Sequence, residues 1–63
     1  DFLTTLHAYL DANGNIAATA QRLHVHGNTI RYRLARLDEE FNIDLSDPAT
    51  RLWLWLRLAT QRQ

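Results

Sequence analysis

The chain has 63 residues, with seven arginines, no lysine and seven Asp or Glu, so its formal net charge is zero. A chain of this length makes one small domain with a single core and little room for a deep catalytic pocket. The absence of cysteine excludes disulfides and thiolate metal sites, and overall neutrality argues against a generic coat for nucleic acid or membrane.

The first segment carries Phe2, Leu3, Leu6 and Leu10 at the spacing of an amphipathic helix. Asn13-Gly14-Asn15 ends it, with Gly14 suited to a left-handed stop and Asn15 to capping the next helix. The second helix is short, "IAATAQRL", and places Ile16, Ala17, Ala20 and Leu23 on one face. Its alanines imply close approach to a neighbour. A third helix begins near His26 or Gly27, carries Ile30, Leu34, Leu37 and Phe41 inward, and stops at "NID". Ser46-Asp47-Pro48 opens the fourth, with Asp47 capping and Pro48 in the first turn, where its missing amide costs nothing. The Leu/Trp alternation of "ATRLWLWLRLATQR" also fits a strand. However, its Ala, Leu, Arg and Gln favour helix, and no second strand exists to pair with it. The run "LWLWL" is far too short to span a bilayer, and no signal peptide is expected, since no stretch of the chain has its pattern. The expected fold is all-α, a small four-helix domain occupying residues 1–63 and cut from a longer protein, since the helical pattern begins at once without an initiator methionine.

The second and third helices together meet the demands of a helix-turn-helix. That motif needs a small residue within its first helix, apolar residues on either side of the turn, and an apolar anchor in its second helix. Ala20, Leu23, Val25 and Ile30 meet these in order. The turn residue, usually glycine, is His24, and histidine tolerates positive φ better than most side chains. For His26 the reading is helix capping or a phosphate contact.

Charge is segregated around the same motif. Arg22, Arg31, Arg33 and Arg36 lie in a stretch without an acid, and Asp38, Glu39, Glu40, Asp44 and Asp47 follow it. One face can therefore be basic although the sum is nil. At about 100° per residue, Asn28, Thr29, Tyr32 and Arg36 point away from the apolar stripe, with Arg31 and Arg33 on the flanks. Such a helix fits a major groove about 12 Å wide, with short polar side chains at base edges and arginines at the phosphate walls. Tyr32 either contacts DNA or packs on a neighbouring helix.

The run "GNIAATAQRLHVHGNTIRYRLARLDEEFNIDLSDPATRL" resembles the C-terminal helix-turn-helix domain of the PucR family of bacterial transcriptional regulators, which includes the sugar-diacid regulators. The family pattern is similar to "N-x-x-x-T-A-x-x-L-x-V-H-x-N-T-[IV]-x-Y-R-L", then an acidic stretch, "D-L-x-D-P" and a closing "R-L-x-L-x-L-x-L". The tip of the recognition helix also resembles that of the Fis-type nucleoid and enhancer-binding proteins. The resemblance implies base and phosphate contacts at His26, Asn28, Thr29, Arg31 and Arg33. It also implies an output module at the C-terminal end of a longer, cytoplasmic, bacterial regulator, nucleoid-associated when bound to DNA, with N-terminal sensing regions beyond this chain. One position departs from the pattern: the residue after His26 is often arginine or another polar residue, and here it is Gly27.

The expected DNA-binding residues are thus His26, Asn28, Thr29, Arg31, Tyr32, Arg33 and Arg36, with Arg22 beside them. His24 and His26 lie two apart with His7 remote, too few placed ligands for a metal, and no cofactor or enzymatic activity is expected. Asp38, Glu39 and Glu40 form a solvated face. In the last helix, Leu52, Leu56 and Ala59 share one side while Leu54 and Leu58 lie opposite, with Trp53 and Trp55 between. A small core covers one of these sides. Trp53, Leu54, Trp55 and Leu58 are therefore expected at an interface, either with a second copy or with the missing sensing domain. The rival reading is a helical protein-interaction or dimerisation module acting through that Trp/Leu helix. Single-stranded RNA binding would need an aromatic platform, for which Tyr32 is the one candidate.

Overall fold

The computed structural model describes residues 2–61 and holds four helices, α1 (Phe2–Asp11), α2 (Ile16–Leu23), α3 (Gly27–Phe41) and α4 (Pro48–Gln61). No strand occurs among the described residues. The starts of α2, α3 and α4 are capped by side chains. Asn15 Oδ1 accepts from the Ala18 N–H at 2.9 Å, and His26 Nδ1 accepts from the Asn28 N–H at 3.3 Å. Asp47 Oδ2 accepts from the N–H and hydroxyl of Thr50, with Pro48 in the first turn.

Three helices end in one hydrogen-bond pattern, in which a left-handed residue turns the chain and its neighbours satisfy the last carbonyls. The left-handed residues are Asn13 (φ 55°), His24 (φ 58°) and Asn42 (φ 53°). Behind them, Gly14 donates to the Tyr9 carbonyl, Val25 to that of Ala20 and Ile43 to that of Asp38. The stop expected at Gly14 therefore begins one residue earlier, at Asn13. Gly14 (φ 82°) has a further constraint, because a Cβ there would lie 2.6 Å from Arg51 Nε.

Helices α1, α2 and α3 pack pairwise around Tyr9, Ala20, Ile30, Leu34, Leu37 and Leu45. The inward face of α1 differs from the apolar stripe. Phe2 and Leu3 are exposed and Leu6 is half-buried, while Thr5, Ala8, Tyr9 and Leu10 are buried. The two polar members carry hydrogen bonds to distant segments, as burial requires. Tyr9 Oη donates to the Leu45 carbonyl at 3.1 Å, and Thr5 Oγ1 accepts from Arg33 Nη1 at 3.0 Å. In α2, Ala17 is exposed and Thr19 is buried instead, its hydroxyl donating to the Asn15 carbonyl at 2.7 Å. In α3, Phe41 is exposed rather than inward. It flanks an open hollow of about 350 Å³ between the start of α1 and the end of α3, with Phe2, Leu3 and Leu6 opposite.

The segment between α3 and α4 is tied at Leu45. Its side chain is buried, its N–H donates to Asp38 Oδ1 at 3.1 Å, and its carbonyl also accepts from Arg51 Nη1 at 3.1 Å. Asp38 thus belongs to the fold, not to the solvated face expected of it; Glu39 and Glu40 remain exposed. Nearby, the Ser46 hydroxyl and then its N–H bond Asp44 Oδ1, holding that carboxyl below the usual range, with Arg51 adding to the effect.

Among the described residues, α4 meets α1 and no other helix, and none of its side chains is fully buried. Leu54 packs on the core, and Leu58 and Ala59 are half-buried beside His7 and Leu10. Leu54 and Leu58, expected at an interface, therefore turn inward. The outward side is Leu52, Trp53 and Leu56, with the Arg57 guanidinium 5.1 Å from the Trp53 ring centre. Trp55 is partly exposed, and its Nε1–H donates to Asp11 Oδ1 at 3.1 Å.

Two substitutions test this frame by urea unfolding. Gly14→Ala places a Cβ on Arg51 in a left-handed backbone and is expected to cost about 1–3 kcal/mol. Tyr9→Phe removes one of two donors to the Leu45 carbonyl. Because Arg51 remains bonded there, the loss should be about 0.5–1.5 kcal/mol. A cost above that range would mean that Arg51 does not hold the carbonyl by itself.

Candidate nucleic-acid interface

The turn between α2 and α3 is His24-Val25-His26. His24, at φ 58° and ψ 41°, reverses the chain as its place in the motif demands. Ala20 and Ile30 are buried, and Leu23 and Val25 pack half-buried on the same core. The four apolar positions of the motif therefore all face inward and set α3 across α2.

With Ile30, Leu34 and Leu37 inward, the opposite side of α3 is offered to solvent. Asn28, Arg31 and Arg36 are exposed, Tyr32 is 62% exposed, and Thr29 is half-buried. Most of the Tyr32 side chain is open to solvent. Ala35, exposed one turn after Arg31, keeps the middle of this face low; the sequence reading passed over it, although a small residue in a polar face is a legible signal.

At the tip, the His26 ring caps α3 through Nδ1. That nitrogen accepts, so the neutral ring carries its proton on Nε2, a donor available to a ligand. Arg31 Nη1 donates to Asn28 Oδ1 at 3.0 Å, which draws the guanidinium over the first turn instead of out to a flank. Gly27 lies beneath it; a Cβ there would sit 3.5 Å from Arg31 Nη1.

The other arginines differ in how free they are. Arg33 is half-buried and one of its nitrogens holds Thr5, so it pins α3 to α1. Arg22 is 3.6 Å from Asp11 Oδ2 with its side chain 61% exposed. An exposed pair of that length is worth less than about 1 kcal/mol and yields readily to a competing anion. Arg36 is exposed beside Glu40 and Phe41 at the edge of the hollow. Two structural roles escaped the sequence reading. Arg51 matches the closing "R-L" of the family pattern, but its side chain bonds the Leu45 and Ser46 carbonyls before α4 and lies against the distant Gly14. Asp11 joins Arg22 to Trp55 and carries no local signal.

The model of the PucR C-terminal helix-turn-helix domain matches residues 2–60. The chain is 45% identical over 60 residues to the purine catabolism regulatory protein of Bacillus subtilis, covering 95% of this chain and 11% of that protein. It is 38% identical over 63 residues to the proline-responsive transcriptional activator PutR of the same organism, covering all of this chain and 15% of PutR. An uncharacterized protein in the pkwA 5′ region of Thermomonospora curvata is 43% identical over 56 residues, 89% of this chain and 31% of that protein. The chain thus spans at most about a third of the length of these curated relatives. No solved structure matches it. The match from end to end of the fold, on a motif whose second helix stands open to solvent, shows that this chain belongs to the PucR C-terminal helix-turn-helix family, the DNA-binding domains of transcriptional regulators.

Proposed function

We propose that the domain lays α3 in the major groove of duplex DNA as the output element of a bacterial transcriptional regulator, at the nucleoid in the cytoplasm. The observation that carries this reading is the outward face of α3. Asn28 and Tyr32 lie in solvent directly behind the left-handed turn of the helix-turn-helix, with Ile30, Leu34 and Leu37 of the opposite face buried in the core. Asn28 and Thr29, at the N-terminal end of the helix, are placed to read base edges, and Tyr32 lies one turn deeper. His26 Nε2 and Arg22 meet phosphates on one side, and Arg36, with the remaining nitrogens of Arg33, on the other. Exposed Glu39 and Glu40 repel phosphate, which confines the duplex to the N-terminal two-thirds of the helix.

The outward side of α4 supports a second, compatible role. Leu52, Trp53 and Leu56 are each more than half exposed and lie side by side, an apolar stripe of the kind that serves as an interaction site. The domain measures 29 × 24 × 19 Å, enough for one half-site, and two-fold operators place their recognition helices about 34 Å apart. A second copy on this stripe would supply the other half-site and the avidity that one unit lacks. Trp53 and the partly exposed Trp55 are the anchors of that contact.

Labelled duplex titrated at several salt concentrations should bind with an affinity that falls steeply as salt rises. Arg36→Ala should reduce the salt slope by about one unit with unchanged helical content. A slope equal to the parent's removes Arg36 from the groove wall. Sedimentation over a range of concentrations should show self-association that Trp53→Ala abolishes. A chain that stays monomeric throughout assigns the α4 stripe to the sensing region of the regulator instead.

A further inference from the structure

The donors and acceptors at the tip of α3 are not those of an isolated asparagine. Arginine carries donors and no acceptor, so the Asn28 atom facing Arg31 Nη1 at 3.0 Å is the carbonyl oxygen, and the amide nitrogen points away from it. Both side chains are exposed. An asparagine that reads adenine uses its oxygen for the N6 amine and its nitrogen for N7. Here the oxygen is already bonded to a guanidinium. An adenine or cytosine amine brought to it would meet a second donor and a positive charge. What the pair offers outward is dominated by N–H groups, from the Asn28 amide and the rest of the Arg31 fork, because the neighbouring guanidinium disfavours a further donor at the remaining lone pair of Asn28 Oδ1. Guanine is the base whose major-groove edge presents two adjacent acceptors, O6 and N7, and no donor.

We infer that Asn28 and Arg31, held together over Gly27, act as a donor-rich fork that selects guanine at the base facing the first turn of α3. Gly27 is part of the device. A Cβ there would only reach ordinary contact with Arg31 Nη1. On this proposal a longer side chain, such as the arginine often found here in the family pattern, competes with the Arg31 guanidinium for this place, so that Gly27 favours the fold-back onto Asn28. It turns an arginine otherwise destined for a phosphate into a specificity-determining residue. The inference rests on the groove reading above and deepens it.

Selection of random duplexes with this chain, followed by affinity measurement on the winning sequence, tests it. The selected sites should share a guanine, and replacing that base by 7-deazaguanine, which lacks the N7 acceptor, should weaken binding about tenfold or more. In Asn28→Ala and Arg31→Ala the ratio between the two duplexes should fall towards one while circular dichroism stays unchanged. Gly27→Leu should also lose the ratio and Gly27→Ala should keep it. The proposal is overturned by an adenine at that position, or by a ratio that survives both alanine variants. It is equally overturned if Arg31→Ala weakens both duplexes alike and reduces the salt slope by about one unit, which marks a phosphate contact. Absence of salt-dependent binding to any duplex would instead bring down the groove reading itself.

Discussion

Leu45 is the point on which the domain closes. Its side chain fills the core, its N–H is held by Asp38 of α3, and its carbonyl takes donors from Tyr9 of α1 and Arg51 of α4. Arg51 also bonds the Ser46 carbonyl and rests against Gly14 in the turn between α1 and α2. One residue outside any helix thus joins α1, α3 and α4, and through Arg51 it reaches the turn that leads into α2. A 63-residue chain buries little apolar surface, so bonds that satisfy backbone groups within the core contribute a large share of its order.

This knot lies at one end of α3 and the candidate DNA-contacting residues at the other. Asn28 and Asp38 are ten residues apart, about 15 Å along a helix. The N-terminal half of α3 is therefore fixed from behind by Ile30, Leu34 and the Arg33–Thr5 bond, while its front carries no structural duty. Only the short Arg31–Asn28 contact organises that front, and it does so on the solvent side. A recognition surface can change its side chains on such a frame without disturbing the core.

The fourth helix is attached differently. It leans on α1, lends Leu54 to the core, and is latched by the Trp55 bond to Asp11, the carboxylate that also faces Arg22. Its outward Leu52, Leu56 and Trp53 stand more than half exposed, with Arg57 of the same helix against the Trp53 ring. Leu54 and Leu58 face the core while Leu52, Trp53 and Leu56 face solvent, a helical division that cuts across the strand-like Leu/Trp alternation.

What the sequence determined by itself is local. Helix limits follow from caps whose partners lie within a few residues, as at Asn15, His26 and Asp47, and from the left-handed His24. The four inward positions of the helix-turn-helix and the outward face of α3 follow from helical period alone. Thr19 was within reach too, since its hydroxyl bonds the carbonyl four residues back. The tertiary structure decided the rest. Burial of Thr5 and Tyr9 depends on partners 28 and 36 residues away, and the role of Arg33 changes with the first of these. Period shows that Phe2, Leu3 and Phe41 could be covered, and that either side of α4 could, but not which neighbour arrives to cover them. That choice is made by which helices meet in space, and no local pattern encodes it.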